Sequence, residues 1–131
     1  MRHVHPVAPP LVFRSDVAAG TFVAAVGADS QGKQELEPTL LASSTLVVDI
    51  LTQCAEIGEL QHALAAGLMT QADVHAELAD VLTGRRPGRT RDDEITIFDS
   101  SGTALQDVAA AIAVYDQALA RGHGTEVSLD D

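Results

Sequence analysis

With 131 residues, 46% hydrophobic and 21% charged, the chain is long enough for one domain with a sizeable core and too apolar for disorder. Its formal net charge of −11, from 8 Lys and Arg against 19 Asp and Glu, excludes phosphate-led nucleic-acid binding, which depends on cationic side chains displacing counterions. One cysteine excludes an internal disulfide framework, and no run approaches the roughly 18 apolar residues of a membrane span, so a cytoplasmic setting without a membrane partner is expected.

In chain order, residues 1–8 read as an irregular tail, with prolines at 6, 9 and 10 and no continuous apolar stretch of the signal-peptide kind. Phe22-Val23-Ala24-Ala25-Val26, closed by Gly27, has strand composition without polar alternation, which predicts a strand buried on both faces. Pro38 suits a first helical turn, with Leu40 and Leu41 behind it. Leu46-Val47-Val48-Asp49-Ile50 predicts a second strand. A helix is then expected from about Leu51 to Ala66, stopping at Gly67 and burying an inert Cys54.

Thr70-Gln71-Ala72-Asp73 has the form of a capping box, opening a helix whose face is Val74, Leu78, Val81 and Leu82. Arg85, Arg86, Arg89 and Arg91 crowd a Gly/Pro-rich stretch that reads either as a solvated loop or as a local anion site. Ile95-Thr96-Ile97-Phe98 predicts a third strand after the acids Asp92-Asp93-Glu94, whose alternatives are a solvated strand entry and a cation site. From Thr103, with Gln106 as capping partner, Leu105, Val108, Ile112, Tyr115 and Leu119 step by three and four to give a long amphipathic helix over 103–121. Thr125 to Leu129 is expected to add a short strand. Strands alternating with helices indicate an α/β fold with about three to four largely parallel strands.

Two segments lie where chemistry is expected, beyond the carboxyl ends of predicted strands. Asp29 and Lys33, four apart between Gly27 and Gly32, could form an acid/base pair whose ammonium keeps the carboxylate ionised, or a surface ion pair on a polar turn. Asp99-Ser100-Ser101-Gly102 could hold an anion at a helix start or simply cap it. Apart from His3-Val4-His5 in the tail, no metal-ligand spacing is present among the histidines, nor is a nucleophile elbow, P-loop or G-x-G-x-x-G fingerprint.

Taken together, residues 27–36 and 92–102, with Gly58-Glu59-Leu60, Glu77 to Val81 and Gly88-Arg89-Thr90 between them, resemble the ornithine cyclodeaminase/mu-crystallin family over roughly residues 9–129. The resemblance implies a partial Rossmann-like dinucleotide-binding domain over 9–102. It also implies a helix and short strand over 103–131 that return to a substrate and dimerisation domain. It makes Asp29 the catalytic acid/base. Val26, Gly27, Ala28, Asp29, Lys33 and Ser100 become contacts to NAD or NADP, and Asp29 with Ser101 become substrate contacts. The implied parent activity is a cyclodeaminase, alanine dehydrogenase or ketimine reductase acting on a small amino or imino acid. The chain is expected to be a truncated form, inactive alone. The alternative is an assembly module or the C-terminal half of a split enzyme, pairing through helix 103–121 with a second copy or a separately encoded N-terminal half.

Overall fold

The computed structural model describes residues 9–127. Strands β1 (Phe22–Ala25), β2 (Thr45–Val48), β3 (Ala76–Glu77) and β4 (Thr96–Asp99) form one parallel sheet in the order β1-β4-β2-β3. Between them run α1 (Pro38–Ala42), α2 (Leu51–Ile57), α3 (Leu60–Ala65) and α4 (Leu78–Leu82), and α5 (Ala104–Arg121) follows. This is the α/β architecture expected.

Register explains where the core sits. Val23, Ile97 and Leu46 form one cross-strand row, and Ala25, Asp99 and Val48 another. Both rows face α1, α2 and α3, whose Leu40, Leu41, Cys54, Leu60 and Ala63 complete a fully buried cluster. Each leucine there contributes about 2 kcal/mol by leaving water. The alternate row, Phe22, Thr96 and Thr45, points to the opposite face, as do Ala24, Phe98 and Val47. There, with Leu78 and Val81 of α4 at its side, the sheet floors a trough of about 350 Å³.

That second face corrects the expectation for the first strand. β1 lies at the sheet edge, with Phe22 60% exposed, so it is buried on one face rather than two. Its apolar run has no helix layer of the described residues over its outer row.

Three further boundaries moved. The single helix expected over 51–66 breaks at Gly58, which is extended (φ −84°, ψ −173°), and Asp99 takes the Glu59 and Leu60 amides that open α3; a Cβ at Gly58 would lie 2.7 Å from an Asp99 oxygen and 2.9 Å from the Cys54 Cα. The Thr70–Asp73 box closes a 3-10 turn instead of an α-helix, and the chain then extends through β3 before α4 begins at Leu78. At the other end, Thr125–Val127 form no strand, and the rest of that expected strand lies outside the described residues, as does the tail 1–8.

The long helix forms where its periodicity places it. Thr103 Oγ1 accepts from the Gln106 amide at 3.4 Å, and Gly122, at φ 63°, closes the other end in the left-handed conformation. Yet none of its residues is buried. Leu105 is 78% exposed, and Val108, Ile112, Tyr115 and Leu119 are all more than half exposed.

Candidate functional site

Because every strand pair is parallel, the carboxyl ends of β1, β2 and β4 share one edge of the sheet. The loop after β1 carries Asp29 and Lys33, the residue after β2 is Asp49, and the turn after β4 carries Ser100 and Ser101. Open parallel sheets hold ligands outside this edge.

Asp29 Oδ1 accepts from Lys33 Nζ at 2.5 Å, with the two side chains 56% and 54% exposed. The hydrogen bond from Lys33, helped by its charge, holds the Asp29 carboxyl below its ordinary range. The pair is therefore formed but solvated. Val26 beside it is 66% exposed, whereas Ala28 is buried, backbone and side chain alike. Gly27 is glycine for a reason internal to the chain: a Cβ would run into the Glu35 carboxylate, which accepts the Gly27 amide at 3.2 Å. Gly32 is held at φ 82°, the left-handed turn geometry that favours glycine.

What fastens this loop was not among the residues expected to act. Glu59, fully buried at the start of α3, accepts the amides of Glu35 at 2.7 Å and Leu36 at 3.0 Å. Gln61 Oε1 accepts the Gly32 amide at 2.9 Å, and His62 Nε2 lies 2.7 Å from the Lys33 carbonyl oxygen. Asp99, also fully buried, accepts the amides of Glu59 and Leu60, each at 3.0 Å, and so sets the first turn of α3. Burial pushes the Glu59 carboxyl up to about 7, against the two amide bonds that favour its charge. The same cause raises Asp99 to about 6.

Asp49 is the second centre missed. Its carboxylate accepts from Ser100 Oγ (3.1 Å), Ser101 Oγ (3.0 Å), the Gly102 amide (2.9 Å), the Ile50 amide (2.7 Å) and Cys54 Sγ (3.0 Å). Burial opposes its charge, but the hydrogen bonds from Cys54, Ile50, Ser101 and Ser100 prevail and hold the carboxyl below its usual range. Both serine hydroxyls thus turn to Asp49, and the helix cap falls to Thr103. Ser101 is only 5% exposed. Cys54 is buried as expected, its thiol pushed up to about 12 by burial and then by the Asp99 charge. An acid inside the apolar run 46–50 was the available signal for Asp49.

The arginines are engaged locally. Arg85 pairs with Asp80 and Arg91 with Asp93, while Arg86 donates to the His75 carbonyl and Arg89 to those of Gly20 and Thr21. Glu94, in turn, accepts from the Thr90 amide and hydroxyl. These partners favour the solvated-loop reading of both segments over an anion or cation site.

Comparison with known proteins adds what geometry alone does not. The model of the ornithine cyclodeaminase/mu-crystallin family matches residues 3–122. An archaeal alanine dehydrogenase dimer with bound NAD is similar in structure, with TM-score 0.83 and 43% identity over 92% of this chain and 38% of that one. The iminosuccinate reductase of Paracoccus denitrificans, in complex with NAD+, has TM-score 0.83 and 45% identity over 92% of this chain and 37% of that one. The Δ1-pyrroline-2-carboxylate reductase of Thermococcus litoralis, in complex with NADH and L-proline, has TM-score 0.83 and 34% identity over 90% of this chain and 37% of that one. The chain spans 36–38% of the length of the curated relatives it matches.

Proposed function

The chain belongs to the ornithine cyclodeaminase/mu-crystallin family, and from that premise we propose that it carries the acid/base edge of an NAD(P)-dependent enzyme interconverting a small amino acid and its imine. The observation that carries this reading is the Asp29–Lys33 pair at the carboxyl edge of a parallel sheet. In this reading 9–102 is part of a dinucleotide-binding domain, and the segment from 103 onward packs on a substrate and dimerisation domain.

The residues present suit a nicotinamide dinucleotide. Val26 offers an open apolar surface, the half-buried Gly27 lies next to it, and Lys33 supplies a cation, while Ala28 is buried. Ser100 would contribute from the neighbouring strand end, its hydroxyl held by Asp49. When bound, the nicotinamide supplies or accepts a hydride. Asp29 would then exchange a proton with the substrate nitrogen through Oδ2, the oxygen Lys33 does not hold. Ser101 borders the substrate side.

The same geometry supports the reading that the 131-residue chain alone is inactive. A carboxylate held low and in water is a weak proton donor near neutral pH, and a closed, drier pocket would raise it. Calorimetric titration of the purified chain with NADH and NADPH, followed by assays with alanine, proline and a cyclic ketimine, tests both statements. Turnover is not expected, and saturable binding would support the cofactor assignment. No binding by folded protein would overturn the cofactor assignment, and turnover would overturn the inactivity.

One observation favours a second reading, an assembly module. The apolar row of α5 is bare, and pairing it with a second copy or a separately encoded N-terminal half would cover it. A strictly monomeric species at tens of micromolar, with no companion chain, would sink that reading.

A further inference from the structure

Three residues at the start of α3, Glu59, Gln61 and His62, reach the same loop. Glu59 takes the amides of Glu35 and Leu36, Gln61 takes that of Gly32, and His62 meets the Lys33 carbonyl. Glu35, fixed by its own amide, in turn accepts the Gly27 amide across the mouth of the loop. Asp29 and Lys33 stand between these anchors.

Glu59 is an expensive way to satisfy two backbone amides. It is fully buried, no cation among the described residues pairs with it, and the charged groups facing it there are Asp99 from β4 and Glu35 from the loop, both acids. A carboxylate kept in such surroundings needs a reason, and the loop provides one: each oxygen takes a different amide, so Gln would turn an NH2 donor against one of them and a shorter acid would lie farther from both. We propose that Glu59 is a positioning residue for Asp29, its carboxylate tying Glu35 and Leu36 so that the loop presents Asp29 and Lys33 at the sheet edge. This deepens the functional reading above and rests on it for the role of Asp29.

The test uses the whole chain and needs no cofactor. In Glu59→Gln, amide hydrogen exchange at Gly27, Gly32, Glu35 and Leu36 is expected to quicken by about tenfold, the loss of one net hydrogen bond. The Asp29 carboxyl, followed by NMR, moves up toward its ordinary value as its contact with Lys33 loosens, while exchange at Val48 and Ile97 in the central strands is unchanged. Should that variant not fold, the wild-type chain answers: the amide protons of Glu35, Leu36 and Gly27 titrate with the Glu59 carboxyl, and Asp29 and Lys33 resonances follow at the same midpoint. An unaltered loop, an unmoved Asp29, or quickened exchange spread evenly over the sheet would overturn the proposal and leave Glu59 a residue of the core alone. Failure of NADH to bind the wild-type chain strikes the functional reading and not this one, because the loop measurements stand without it.

Discussion

The carboxyl ends of β2 and β4 lie side by side; β4 ends in a buried aspartate and β2 is followed at once by another. Asp49 is 8% exposed and Asp99 fully buried, yet one carboxyl is held below its usual range and the other rises to about 6. Donors, the deeper burial of Asp99 and the Asp49 charge beside it make the difference. Asp49 collects two hydroxyls, a thiol and two amides, whereas Asp99 collects the two amides of Glu59 and Leu60. Burial raises both, and only the richer hydrogen-bond set overcomes it. One strand end is thus a settled anion that fixes the 100–102 turn. Its neighbour, with Glu59 beyond it, is a stressed carboxylate chain that fixes the 27–36 loop.

Removing Asp49 is the hardest way to break this comparison. Asp49→Ala removes the acceptor that five donors share, of which Cys54 Sγ also reaches the Asp99 carbonyl, and is expected to cost about 3 kcal/mol in urea unfolding. A loss below about 1 kcal/mol would mean that water replaces the carboxylate freely. Next comes Gly58→Ala, whose methyl must displace Asp99 oxygens already fixed by two amides and meets the Cys54 backbone. About 2 kcal/mol is expected from such overpacking, and an unchanged unfolding midpoint would show that α2 and α3 yield easily there.

The pH profile sharpens the contrast. Asp99 and Glu59 have raised values, so between about pH 4 and 7 the native state holds more protons than the unfolded state and stability falls as pH rises. Asp49 has a lowered value, so its contribution is present above the ordinary carboxylate range and is lost as pH falls through its native value. Urea midpoints measured from pH 4 to 8 are expected to decline with pH from the first pair, and Glu59→Gln should flatten that slope. A wild-type profile rising steadily from 4 to 7 would contradict it. The smallest effect belongs to the exposed pair: Lys33→Met should return the Asp29 carboxyl toward its ordinary range by NMR and leave the unfolding midpoint alone.

Much of the scaffold was legible because burial writes itself as pattern. The apolar runs at 22–26, 46–50 and 95–98 became β1, β2 and β4, and the step of three and four from Leu105 to Leu119 became α5. The failures share a physical cause, since each depends on a partner distant in sequence. Apolar spacing runs unbroken through Gly58, where the break comes from Asp99 forty-one residues on. The two-residue β3 exists only as a neighbour of β2. Asp29 and Lys33 were visible as a pair, but Glu59, Asp49 and Asp99 read as ordinary acids until the fold put amides and hydroxyls around them. Nor does periodicity say whether an apolar face is covered, and on α5 it is bare.

Gly102 gives that helix a mechanical aspect. Its amide is held by Asp49 and its carbonyl oxygen by Gln53 Nε2 at 2.6 Å, immediately before the first helical turn. The eighteen residues of α5 make a rod about 27 Å long, fixed at one end. Such a rod is a lever with Gly102 as its fulcrum: a tilt of about 10° carries the far end roughly 5 Å while the fulcrum barely moves. The torque of anything that grips Tyr115 or Leu119 is therefore delivered to the carboxylate at the end of β2.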